Sequence, residues 1–287
     1  MRQVTGIERA VEDHYAAYNV LERIRAGLVA GGHDPDRIAP DVLKPVDEFH
    51  IGGAEATATL LDGLDIAPDM DVLDIGSGIG GTARLVALRT GARVCGVDLT
   101  ADFVRTARAL SAMCGMDDRV RFEQGSATAL PFPDDAFDLA LLLHVGMNIP
   151  DKALMFREAA RVLRPGAVFA VYDVMVVGDG ELTYPVPWSE TPSTSFAAPP
   201  QTYRQAARAA GFDLFAEADR RDVALDFFAR VQARAQADNA RQPALGLHQL
   251  MGPTVQQKTA NMVAAIRAGV IAPIQMTFRR DTSGVSP

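Results

Sequence analysis

The chain is poor in the residues that staple or anchor a protein. Of 287 residues only two are cysteine, Cys95 and Cys114. Neither has a Cys or His beside it at ligand spacing, which predicts no disulfide framework and no metal site. Cys95 sits in a strand-like run, residues 92–98, and reads as a small buried hydrophobe, while Cys114 closes a helical pattern. No apolar run approaches the roughly 20 residues that span a bilayer, so a membrane is not an expected partner. The opening residues Met-Arg-Gln-Val-Thr-Gly lead into a charged helix rather than an apolar signal segment, so the expected location is cytoplasmic. Positive charge is scarce too: 28 Lys and Arg stand against 36 Asp and Glu, a net charge of −8 with no basic stripe. Nucleic acid, which needs clustered cations, is therefore not an expected partner. Internal repeats and low-complexity segments are absent as well.

What is present is the composition of an ordinary globular enzyme, 48% hydrophobic, long enough for one large domain with an added lobe. The most informative stretch is Val72-Leu73-Asp74-Ile75-Gly76-Ser77-Gly78-Ile79-Gly80-Gly81. It begins as a short apolar run, the signature of a strand buried on both faces. It then breaks into glycines, which turn sharply and leave no side chain between backbone and ligand. Residues 82–88 read as a helix. Strand, glycine turn and helix together form a nucleotide-type binding element, with free N–H groups at the helix start. The spacing Gly76-x-Gly78-x-x-Gly81 also fits the dinucleotide fingerprint, and a glycine turn that merely connects strand to helix is a further alternative.

From residue 71 onward strands and helices alternate, which implies a parallel sheet with helices on both faces. The strand at 92–97 ends in Asp98, about 20 residues after the first glycine, the offset at which a carboxylate meets ribose hydroxyls. Residues 8–30 read as one amphipathic helix with Val11, Tyr15, Tyr18, Leu21 and Leu28 on one face. Tyr15 and Tyr18 make it either a docked helix or a lid over a site. His50 precedes two glycines and a new helix, well placed to reach a ligand or to serve as a plain loop residue. Residues 176–200 form a long proline-rich loop that holds Trp188, the one tryptophan, as an anchor of the loop or a substrate contact. Two helical stretches, 226–240 and 254–268, fall between the sixth and the last candidate strands.

The pattern Leu-Asp-Ile-Gly-Ser-Gly-x-Gly resembles motif I of class I S-adenosylmethionine (SAM) methyltransferases. Two further matches follow in order: Leu130-Pro131-Phe132-Pro133-Asp134-Asp135-Ala136-Phe137-Asp138 before the fourth strand, and Arg161-Val162-Leu163-Arg164-Pro165-Gly166 before the fifth. Together with His50-Ile51-Gly52-Gly53 and the C-terminal Asn261-Met262 to Phe278-Arg279-Arg280, the chain is similar to the sarcosine/dimethylglycine N-methyltransferase type. The resemblance implies an α/β, Rossmann-like class I methyltransferase fold: a seven-stranded, mostly parallel sheet with helices on both faces and a helical cap. It implies segments 1–48 as an N-terminal helical lid, 49–220 as the cofactor-binding core, 221–272 as a cap insertion and 273–287 as the final strand and tail. By position, Asp74, Gly76 and Gly78, with Ser77 between the glycines, would hold the methionine part of SAM. Asp98 and Leu99 would hold ribose and flank adenine, Ser126 and Ala127 would contact adenine, and Leu143 and His144 would pass beneath the sulfonium.

The departure lies after the fourth strand. Where that N-methyltransferase type carries Gln-Asp-Ala-x-x-His, this chain has Leu143-His144-Val145-Gly146-Met147-Asn148. The leading expectation is methyl transfer to a small molecule, yielding S-adenosylhomocysteine, with an amine as one acceptor and O- or C-methylation of a natural product as the alternative. His144 is the candidate acid–base residue. Tyr15, Tyr18, His50, Met147, Asn148 and Trp188 are the candidate acceptor contacts. A SAM-binding protein without catalysis and a nicotinamide oxidoreductase are the readings from other classes. A homodimer is left open.

Overall fold

The computed structural model describes residues 6–16, 19–237 and 243–282. Helices α1 (Gly6–Ala16), α2 (Val20–Ala30), α3 (Lys44–Asp47) and α4 (Gly53–Asp62) precede the sheet. The alternating core follows: β1 (Asp71–Ile75), α5 (Gly81–Thr90), β2 (Arg93–Asp98), α6 (Ala101–Met113), β3 (Val120–Gln124), β4 (Phe137–Leu143), α7 (Lys152–Val162) and β5 (Leu163–Val176). The chain ends with α8 (Pro200–Ala209), β6 (Phe212–Asp219), α9 (Arg221–Ala237), α10 (His248–Met251), α11 (Val255–Arg267) and β7 (Ile271–Arg280).

The seven strands lie in the order β3-β2-β1-β4-β5-β7-β6. All neighbours are parallel except β7, which runs antiparallel to both β5 and β6. β1 lies inside the sheet between β2 and β4, which is why its run is apolar on both faces. Strand order reverses there, since β2 follows on one side and β4 on the other. Ile75 pairs with Val97 of β2 and with Leu142 of β4, so the C-terminal ends of the three strands are level. Whatever follows them converges on one edge, the place where open α/β sheets bind ligands.

One face packs against α4, α5 and α6 and the other against α7 and α8. On the second face Phe156, Phe169, Phe212 and Phe278 form a ring cluster with centroid separations of 5.4–6.4 Å. Each such pair adds about 0.5–1.5 kcal/mol beyond its buried area.

Three elements differ from the sequence expectation. Residues 8–30 are not one helix, because Asn19 takes a left-handed conformation (φ 42°, ψ 60°) just before α2. Asparagine tolerates that conformation better than most residues, and its amide gives no periodicity signal. Of the segment expected as a lid, α2 belongs to the core: Val20, Ile24 and Leu28 are fully buried beside Phe103, Leu110 and Met113 of α6. The fifth strand is also longer than residues 168–174. It begins at Leu163, which pairs with Phe137, and the ladder shifts register before resuming at Val168 opposite Leu139. The turn residues Pro165 and Gly166 are thus absorbed into a bulge, with Gly166 at φ 81°. The helices between β6 and β7 are present as α9, α10 and α11. No described helix is long and apolar enough to cross a membrane.

Candidate active site

The glycine turn builds the floor. Gly76 (φ 76°) and Gly78 (φ 53°) are left-handed, a region open to glycine at little cost. The N–H groups of Gly76 and Ser77 both donate to Val97 O, at 2.7 and 3.0 Å, stitching the turn to β2. Asp98, at the end of β2, then accepts from Gly78 N–H through one carboxylate oxygen and from Thr100 N–H through the other, both at 2.8 Å. Burial raises its pKa above the ordinary aspartate value, and the two N–H donors pull the other way. A side chain at Gly78 would meet nothing within 4 Å, so the turn faces open space.

That space is a cavity of about 340 Å³. Gly76, Ser77, Gly78, Asp98, Leu99, Ser126, Ala127, Leu143 and His144 all line it, as do His50 and Asn148. Ile7, Glu8 and Val11 of α1 close it from above. Ser126 does more than line the wall: its hydroxyl donates to Glu8 at 2.6 Å and so fastens α1 to the loop after β3. Four acidic residues line the cavity, Glu8, Asp47, Asp98 and Asp151, and no Lys or Arg does among the described residues; the Asp47 carboxylate is paired with the buried Arg84 at 2.5 Å. Asp74 is 2% exposed and is not among the lining residues; it stands behind the turn. Burial, then the charges of Glu48 and Asp98, push its pKa up to about 7, and its Oδ2 has no partner among the described residues.

Beside the sulfonium end expected for the cofactor stands a group of rings. His144 follows β4 in a left-handed conformation (φ 55°), its N–H donating to Tyr172 O at 2.7 Å. Its ring lies 4.9 Å from that of Tyr172 and 5.7 Å from that of His50. Part of the residue faces the cavity, but Nε2 is enclosed and has no partner among the described residues. Burial, reinforced by His50, holds its pKa well below 6.5, so the imidazole is neutral at pH 7. His50 Nε2 in turn donates to Glu48 Oε2 at 2.6 Å. The same oxygen accepts from Thr57 and Thr82, both at 3.1 Å. Burial alone would raise the pKa of Glu48, but the His50 contact and the two hydroxyls outweigh it and hold the carboxyl low.

A second, smaller chamber of about 80 Å³ opens on the other side of His50 and His144, which line both. Met147 and Trp188 are in its wall. Asn148 is instead spent on the loop, donating to Trp188 O at 2.8 Å. Tyr18 lies outside the described residues, and Tyr15 is described in its backbone alone. Sequence reasoning missed Glu48, Thr57 and Tyr172. Glu48 stood two residues before His50 but read as one more charge in the linker; Tyr172 was hidden in an apolar strand run.

A methyltransferase-domain family model matches residues 73–171, the whole stretch from the glycine turn through β5. Residues 73–171 are thus similar to a methyltransferase domain. Methyltransferase GfsG of Streptomyces halstedii is 35% identical over 174 residues, 60% of this chain and 60% of that protein. The chain thus spans about three fifths of that relative's length. Among solved structures, geranyl diphosphate C-methyltransferase from Streptomyces coelicolor A3(2) is 19% identical, with a TM-score of 0.69 over 98% of this chain and 100% of the other. The [4+2]-cyclase SpnF is 22% identical, with a TM-score of 0.66 over 94% and 97%. A Galdieria sulphuraria protein assigned as a sarcosine dimethylglycine methyltransferase is 19% identical, with a TM-score of 0.64 over 80% and 86%. At these identities the structures establish the class I methyltransferase fold and nothing finer.

The cofactor of a methyltransferase domain of this class is SAM, and the cavity fits it. SAM carries a sulfonium and an ammonium against one carboxylate, a net positive charge. A cavity lined by acidic residues, with no Lys or Arg lining it among the described residues, suits that charge and opposes the pyrophosphate of a dinucleotide. Ser77 Oγ is buried without a partner at the turn, where the methionine part would lie. Behind it the Asp74 carboxyl, its pKa raised to about 7, has an Oδ2 without a partner among the described residues and would ionise beside a cation.

Proposed function

We propose that this protein transfers a methyl group from SAM to a small-molecule acceptor. The observation that carries the reading is the single cavity lined by both the Asp98-braced glycine turn and His144, whose imidazole is neutral. When bound, SAM supplies an electrophilic methyl on sulfur and leaves as the neutral thioether S-adenosylhomocysteine. Gly76, Ser77 and Gly78 would hold the methionine part, Asp98 and Leu99 the ribose and one face of adenine, and Ala127 the adenine edge. As the acceptor forms its bond to the methyl carbon it sheds a proton, and the neutral imidazole of His144 takes it. His50, fixed by Glu48, sets one wall beside the acceptor. Holding the two reactants in line in a dry pocket accounts for most of the acceleration. The amine acceptor of the sarcosine type and the O- or C-acceptor of a natural product both remain within this reading.

The test is ligand stabilisation followed by product analysis. S-adenosylhomocysteine at about 100 times its Kd is expected to stabilise the fold by roughly 2.7 kcal/mol, and NAD is expected to do nothing. Asp98→Ala removes a charged acceptor and is expected to weaken binding by roughly 1.5–3 kcal/mol, more than a neutral hydrogen bond is worth. A shift with NAD alone overturns the reading. Methyl-labelled SAM incubated with the protein and a metabolite extract is expected to label one small molecule, found by mass analysis.

We also propose that α1 is the lid and that α9, α10 and α11 form a cap. Glu8 anchors α1 at the adenine corner through Ser126, and His14 lies 3.9 Å from Glu190 at its other end. Deleting residues 1–16 leaves the buried face of α2 intact. The truncated protein is expected to melt within a few degrees of the parent while turnover falls about tenfold or more. Full turnover after that deletion rules out a lid.

A further inference from the structure

The second chamber has almost no polarity to offer. Its walls are Met147, Trp188, Phe227, Phe228, Met251 and Met262 with a few aliphatic neighbours, and its only ionisable groups among the described residues are His50 and His144. The polar atoms nearby are already used. Trp188 Nε1 donates to Ser195 at 2.9 Å, and the Thr259 hydroxyl donates to Val255 O at 2.8 Å. The buried cations of the surrounding elements are committed as well. Lys258 Nζ lies 2.5 Å from Glu190, and Lys152 Nζ donates to Ile149 O and Phe196 O at 2.5 and 2.8 Å. A carboxylate placed in this chamber would lose its water and find no cation, a cost far above that of a missing hydrogen bond.

We propose that the chamber is the acceptor site and that it takes an uncharged molecule with an apolar body, whose reacting atom lies between His50 and His144. This deepens the methyl-transfer reading and rests on it. Among the described residues the two histidines are the only polar side chains shared by both cavities, and His50 is already held by Glu48, Thr57 and Ile51 O, so the polar end of the acceptor points to the His144 imidazole and the apolar body points away. Three methionines give walls that change shape without losing contact. Among the described residues of helix α9, which carries Phe227 and Phe228, only Ala224 is fully buried, so little of the core holds that wall in place. A zwitterionic amino acid such as sarcosine fits none of this, which accords with the loss of the Gln and Asp at the segment after β4.

Trp188, the sole tryptophan, reports the chamber directly. The full chain, with and without S-adenosylhomocysteine, is titrated with straight-chain primary alcohols from butanol to decanol, and separately with sarcosine and dimethylglycine, while Trp188 emission is read. Saturable changes are expected with the alcohols, tightening about fourfold for each added methylene until the chamber is filled. Sarcosine and dimethylglycine are expected to leave the emission unchanged. Phe228 is only half-buried, so Phe228→Asp spares the core; it is expected to weaken octanol binding about tenfold or more. Affinity that does not rise with chain length, octanol binding untouched by Phe228→Asp, or saturation by sarcosine overturns the proposal. A flat alcohol series beside a normal S-adenosylhomocysteine stabilisation sinks the apolar site and leaves the cofactor reading standing. A rising series without that stabilisation does the reverse.

Discussion

The His144→Asn protein is expected to bind S-adenosylhomocysteine as the parent does and to transfer methyl about 100- to 10,000-fold more slowly, the usual contribution of a positioned acid–base group. Asparagine is the suitable replacement because the residue stands at φ 55°, a conformation asparagine accepts and a β-branched residue does not. The pH profile separates proton transfer from positioning. Burial and the neighbouring His50 hold the His144 pKa well below 6.5. The base is therefore neutral throughout the neutral range, and the parent rate is expected to be flat there. It falls only in acid, as pH drops through that lowered pKa and the ring takes up a proton. The variant is expected to lose this acid limb. A slower variant that keeps the limb makes His144 a positioning residue, and an unchanged rate removes it from the reaction, with His50 next to test.

Asp74→Asn is expected to raise the melting temperature of the ligand-free protein at pH 8 and to raise it much less at pH 5. The group has an ordinary pKa of 3.8 and is pushed to about 7 in the fold, burial first and the charges of Glu48 and Asp98 next. Between those values the folded state keeps a proton that the unfolded chain has released, so stability is lost as pH rises through the window, and the loss is complete above about 7. At 1.36 kcal/mol per unit of pKa, the full effect is roughly 4 kcal/mol at pH 8 and less than half of that at pH 5. Asparagine retains an acceptor for the Ala83 N–H that helps to hold the carboxyl. Chemical denaturation of both proteins at the two pH values checks this, and an equal gain at both shows that charge is not the cause. The cost is consistent with a cationic ligand: a sulfonium or ammonium nearby would favour the ionised form, so cofactor binding near pH 7 is expected to release a proton.

How far the sequence carried depended on the range over which each feature is determined. The strand, the glycine turn and Asp98 were legible because they are local: an apolar run, two left-handed positions and a fixed offset. The sheet followed from alternation. The break at Asn19 was not legible, because a single left-handed residue leaves the apolar spacing on either side intact. Nor was Glu48, which reads as one more charge in a proline-bearing linker until Thr57 and Thr82 are brought onto its Oε2 from α4 and α5. The aromatic wall of the second chamber was equally hidden. Phe227 and Phe228 face Met147 and Trp188 only because α9 leaves the sheet edge and returns through β7.

The two cavities draw their walls from different parts of the chain. The larger draws most of its wall from residues 76–154, with α1 and residues 47–50 over it and one residue, Leu250, from α10. The smaller takes Pro187 and Trp188 from the proline-rich loop and most of the rest from residues 227–262, sharing only Phe49, His50 and His144 with its neighbour. The contiguous segment 227–262 begins and ends within the connection between two antiparallel strands at one side of the sheet. Exchanging it is expected to change the molecule accepted while leaving the glycine turn and Asp98 as they are. New specificities in such a chain would then arise by drift or recombination within one insertion, without any intermediate that has lost its hold on the cofactor.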